Sequence, residues 1–114
     1  MEDENVTKVL KQWGVMPEKQ ENDLIRKIGD ACDDGDEFRV EAMLSLEGKY
    51  GIYYLMYGKI LNGGYCKLTT SATLSKTITE LINTTRDFKV PFTIKIKQGI
   101  NAQGQEYTAG TVVL

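Results

Sequence analysis

The sequence predicts a mainly β fold with appended helices, and three observations predict it. Residues 38–47 and 88–97 alternate apolar and polar side chains with the period of two expected of strands, and residues 71–85 return to helical spacing. Asn62-Gly63 supplies a hairpin turn between two further β-rich runs. The resulting order is three meander strands, one helix and two more strands, preceded by two short N-terminal helices.

Taken in order, Val6, Val9, Leu10 and Trp13 recur at i, i+3, i+4, i+7, the spacing of one helix face, and Gly14 offers a C-terminal stop. Trp13 then reads as a packing anchor. Pro17 opens a second helix whose apolar stripe is Leu24, Ile25, Ile28, Ala31 and Cys32, and Asp33-Asp34-Gly35-Asp36 ends it. In the first strand Phe38, Val40, Ala42, Leu44 and Leu46 make one buried face. Ile52 to Leu61 is the second strand, and the type I′ turn that Asn62-Gly63 favours returns the chain as a third, Tyr65 to Thr70. The inserted helix carries Leu74, Ile78, Leu81 and Ile82 on one face, with Ser71 or Thr73 as N-cap. Phe88, Val90, Phe92, Ile94 and Ile96 alternate in the fourth strand, where Pro91 asks for an edge or bulge position. Gln105 to Val113 is the fifth, with Tyr107, Ala109, Thr111 and Val113 on one parity.

Composition narrows the function classes. The 114 residues include no histidine, which removes the commonest general base and the Ser-His and Cys-His nucleophile pairs. Cys32 and Cys66 by themselves cannot complete a four-ligand zinc site, so they read as buried or half-buried thiols, and no metal or cofactor is expected. No apolar run approaches the ~20 residues that span a bilayer, and the acidic start lacks the marks of a signal peptide. A cytoplasmic, non-enzymatic protein is the expectation. The net charge of −2 conceals an asymmetry: residues 1–37 hold five basic and eleven acidic side chains, whereas residues 38–114 hold nine basic and five acidic. The chain therefore divides into an acidic helical segment, 1–37, and a basic β domain, 38–114.

The element order of that β domain is the order of the OB-fold, a five-stranded barrel whose second and third strands bind oligonucleotides or oligosaccharides. The stretch Lys49–Leu68 adds chemistry to the order, because it interleaves Tyr50, Tyr53, Tyr54, Tyr57 and Tyr65 with Lys49, Lys59 and Lys67. One parity of the second strand, Ile52, Tyr54, Met56 and Ile60, fills the barrel. The other, Tyr53, Leu55, Tyr57 and Lys59, faces a ligand. Single-stranded nucleic acid needs such rings for its bases and cations for its phosphates. The expected contact residues are Lys49, Tyr53, Tyr57, Lys59, Tyr65, Lys67, Lys89, Lys95, Lys97 and Tyr107.

The run from Ala72 to Val113, "ATLSKTITELINTTRDFKVPFTIKIKQGINAQGQEYTAGTVV", resembles the C-terminal part of the single-stranded DNA-binding proteins of small protein-primed phages. There an SKT-containing helix precedes an alternating strand, a "QG" turn, a Gly-bearing loop and a last strand. "GKYGIYYL", from Gly48 to Leu55, looks like the Gly-flanked strand entry of phage OB-fold proteins. The resemblance implies an OB-type barrel that coats single-stranded DNA in phage replication or recombination, in the host cytoplasm. The competing expectation is a phage inhibitor of a host or defence protein, whose acidic segment 1–37 contacts a replication or host protein. An exposed edge on the fourth or fifth strand is open to pairing with a second copy as a homodimer.

Overall fold

A computed structural model describes residues 8–17 and 25–114. Its elements are β1 (Lys8–Trp13), β2 (Ile25–Lys27), α1 (Ile28–Ala31), β3 (Glu37–Gly48), β4 (Gly51–Ile60), β5 (Tyr65–Thr69), α2 (Ala72–Thr84), β6 (Phe92–Ile100) and β7 (Glu106–Val113). All seven strands belong to one curled sheet, open like a half-barrel, in the order β2-β5-β4-β3-β6-β7 with β1 also paired to β3. Only β2–β5 is parallel.

The meander forms because its strands are rich in aromatic and β-branched residues and its turns carry the right backbone. Asn62 has φ +72° and sits third in the turn that Gly63 closes by donating its N–H to the Ile60 carbonyl. That is the position at which a type II turn requires a left-handed residue. The expected type I′ turn needs positive φ at Gly63 as well, and Gly63 lacks it.

β3 is longer than its partners and does two jobs. β4 lies along one edge throughout, so the other edge is shared: β6 pairs with Glu37–Val40 and β1 with Met43–Glu47. Between Val40 and Ala42 the register with β4 slips at a bulge around Glu41. The extra residue reverses the parity of everything that follows. Phe38 and Val40 face the core before the bulge, and Met43 and Ser45, opposite Met56 and Tyr54, face it after. The expected single face through Ala42, Leu44 and Leu46 is thus corrected in parity, although Ala42 and Leu46 are buried as expected. Gly58 stands opposite the bulge, where a Cβ would collide with the Arg39 carbonyl.

α2 covers the concave side. Its N-terminus is capped by the Ser71 hydroxyl, which accepts from the Leu74 N–H at 3.1 Å. Leu74 and Ile78 are fully enclosed against Phe38, Val40, Met56, Leu68 and Ile94, and each such side chain contributes about 1.5–3 kcal/mol. Tyr54, on the interior parity, is 2% exposed and shares a 2.7 Å hydrogen bond with Thr79 of α2.

The N-terminal helices are the main correction. Lys8–Trp13 is a strand, because the C-terminal half of β3 would otherwise leave a row of backbone donors and acceptors unpaired. Trp13 is an anchor as expected, opposite Met43 with its ring 6.4 Å from that of Tyr54. Val6 and Leu24 lie outside the described residues. Among the described residues of the second expected helix, Ile25–Lys27 instead extends the sheet beside β5 and the turn Ile28–Ala31 is helical, while residues 18–24 lie outside the described residues. β6 starts at Phe92 rather than Phe88, since Phe88 closes a turn by donating its N–H to the Thr85 carbonyl; the Val90–Pro91 bond that follows is cis.

Candidate functional site

Sheet register decides which side chains share the convex face. Lys59 of β4 stands opposite Tyr65 of β5 and Arg39 of β3, and Arg39 stands opposite Thr93 of β6, so one polar row crosses four strands. The neighbouring row runs Ile25, Lys67, Tyr57, Ala42. Between the rows the rings of Tyr57 and Tyr65 stack, with centroids 5.4 Å apart and planes 18° from parallel. Tyr65 is 52% exposed, and its hydroxyl donates to a Glu41 carboxylate oxygen at 3.3 Å. The negative charge of Glu41 is the main reason the Tyr65 phenol is held above its ordinary pKa. The arrangement offers an exposed aromatic surface bordered by the two exposed cations Lys59 and Arg39.

Lys67 belongs to this face by register but is 6% exposed and engaged in an interaction of its own. Its ammonium is not presented to solvent as the sequence suggested. Lys95 and Lys97 are exposed on the same side of β6, where Glu37 and Ala109 are their respective cross-strand neighbours.

Two other tyrosines lie elsewhere, at the seam where the half-barrel stays open. Tyr53 and Tyr107 line a cleft of about 500 Å³ together with Lys27, Thr70 and Ser71. Each ring rests against a glycine: a Cβ on Gly48 would meet the Tyr53 ring at 2.9 Å, and one on Gly99 the Tyr107 hydroxyl at 2.8 Å. Both rings are half-buried, packing against the strand ends while lining the cleft. Lys49 sits in the β3–β4 turn with its ammonium 5.7 Å from the ring of the exposed Tyr50. Lys89 lies in the connection between α2 and β6.

The structure thus gathers Tyr57, Tyr65 and Lys59 tightly, places Lys67, Lys95 and Lys97 on the same side, sets Tyr53 and Tyr107 on that same parity but at distant strand ends beside the seam cleft, and leaves Lys49 and Lys89 in connections outside the strands. Arg39 was missed by sequence reasoning. Its signal was present, since it alternates with the buried Phe38 and Val40 and so had to point outward. Lys27 in the seam cleft had no signal, because the sequence assigns it to a helix.

Asp33, Asp34 and Asp36, just before β3, take part in the hydrogen bonding that holds this segment. The Gln98 N–H donates to Asp34 Oδ1 at 2.8 Å, the Asp33 N–H donates to Asp36 Oδ2 at 2.8 Å, and the Ile96 N–H reaches the Asp36 carbonyl at 2.7 Å. Gln98 returns the contact by donating its side-chain amide to the Gly29 and Cys32 carbonyls. Cys32 is buried and Cys66 half-buried, both as free thiols. Burial, with the nearby Asp36 charge, pushes the Cys32 thiol up to about 12, which makes it a poor nucleophile. Among the described residues no cluster of His, Cys, Asp and Glu could hold a metal ion, and no helix is long and apolar enough to cross a membrane.

Comparison with family models, curated proteins and solved structures found no match to this chain.

Proposed function

We propose that this chain is a non-enzymatic single-stranded DNA-binding protein of OB type, acting in phage DNA replication or recombination. The observation that carries the reading is the Tyr57–Tyr65 stack on the convex face, with Tyr65 exposed, Tyr57 half-buried and the exposed Lys59 and Arg39 side by side next to it. An unpaired base stacks on such a ring for about 1–3 kcal/mol whatever its identity, and the adjacent cations neutralise neighbouring phosphates. The strand order β5-β4-β3-β6-β7, with α2 between its third and fourth members in sequence, supports an OB-type barrel. In this reading β2 and α1 stand in the gap between β5 and β7.

Titration of labelled oligo-dT at low and moderate salt tests it. Binding should be micromolar or tighter and fall steeply with salt, and Lys59→Gln and Arg39→Gln should each reduce the slope of log K against log salt by roughly 0.7. Absence of binding at low salt would overturn the proposal. Oligo-rU in place of oligo-dT distinguishes RNA from DNA as the ligand.

A further inference from the structure

The backbone of β7 is half used. Asn101 donates its N–H to the Gln105 carbonyl at the end of the β6–β7 hairpin, which sets the alternation that follows: Tyr107, Ala109, Thr111 and Val113 exchange hydrogen bonds with β6. Thr108, Gly110 and Val112 therefore direct their N–H and C=O groups away from the sheet. The Thr108 carbonyl agrees, because it accepts from the Ser71 hydroxyl on that outer side. Beyond Thr108 the edge borders an open groove of about 440 Å³ between β7 and α2, lined by Gly110, Val112 and Leu81 among others.

Free strand edges invite pairing unless charges or proline guard them. β1 carries Lys11, and β2 carries Arg26 and Lys27. In β7 the sole charged residue is Glu106, at its far end, and proline is absent. A twofold axis at either guarded strand would set cation against cation, whereas at β7 no like charges meet.

We propose that two copies of this chain pair through β7, antiparallel about a twofold axis at Thr111, into one continuous sheet. This register sets Gly110 opposite Val112 of the second copy, and the reverse, so the outward donors and acceptors of both residues are all satisfied. It uses only groups that Ser71 leaves open. Val112 of the second copy then projects toward the groove where Gly110 has no side chain, and on the convex face Val113, 55% exposed, meets Ala109 of its counterpart. The two Thr111 side chains face each other across a non-hydrogen-bonded pair, where the strands approach most closely.

Analytical ultracentrifugation of the full chain without DNA tests this independently of the nucleic-acid reading. The protein should sediment at twice its 12.8 kDa chain mass. Thr111→Lys should weaken the dimer at least ~10-fold by setting ammonium against ammonium, and mixing it with Thr111→Glu should restore a heterodimer. Thermal melts confirm that both variants fold, which their exposed position permits. A monomer at all concentrations, or a dimer indifferent to both substitutions, would overturn the proposal.

Discussion

The rings of Tyr57 and Tyr65 stack across adjacent strands with centroids 5.4 Å apart, while Tyr54, on the opposite parity of β4, points into the core. Neighbouring tyrosines on one strand thus serve the surface and the interior separately, as the pleat requires.

For the surface pair, Tyr57→Ala and Tyr65→Ala should each cost about 1–3 kcal/mol of oligo-dT affinity with little change in melting temperature. Tyr65→Phe should keep most of that affinity, because stacking needs the ring and not the hydroxyl bonded to Glu41. Fluorescence titration of the three variants reads the difference. Loss of binding in Tyr65→Phe would mean that hydrogen bonding, and not stacking, carries the contact.

For the interior tyrosine, Tyr54→Ala should destabilise the fold by about 3–5 kcal/mol by opening a cavity under α2. Tyr54→Phe removes only the bond to Thr79 and should cost about 1 kcal/mol. Urea unfolding measures both, and equal losses would show that the hydroxyl matters more than the packing.

The buried thiol makes stability depend on alkaline pH. Unfolded, Cys32 ionises near 9.0; folded, it stays protonated up to about 12. A folded pKa above the unfolded one stabilises at pH below 9 and is lost as pH rises toward 12, at roughly 1.4 kcal/mol per pH unit in that window. Cys32→Ala should be less stable at pH 8 but show a shallower decline between about pH 9 and 11 than the parent chain. Burial also raises Tyr54 and Cys66, so the informative quantity is the difference between the two chains. Parallel declines would contradict the assignment.

Local pattern alone determined most of residues 51–113. The periods of β4 and β7 and the stripe of α2 are set by residues whose faces must sort between core and water, and Ser71 was legible as a cap because few side chains can bond a helix's first N–H groups. The orientation of Tyr54 against Tyr57 followed from the same pleat.

Tertiary structure decided what local pattern could not. Val9, Leu10 and Trp13 keep helical spacing, yet their segment is a strand, because it pairs with the half of β3 whose edge groups β6 leaves open. Ile25–Lys27 followed the same rule at the edge of β5. The bulge at Glu41 moved Leu44 and Leu46 to the parity opposite the α2-facing core, where Leu46 is nonetheless buried, and its sole trace in the sequence was Gly58 on the partner strand. The grouping of the site was decided there too: register brought Arg39 beside Lys59, enclosed Lys67, and carried Tyr53 and Tyr107 to the seam. Spacing along a chain specifies which way a side chain points, whereas its neighbours depend on which strands find each other's open hydrogen bonds.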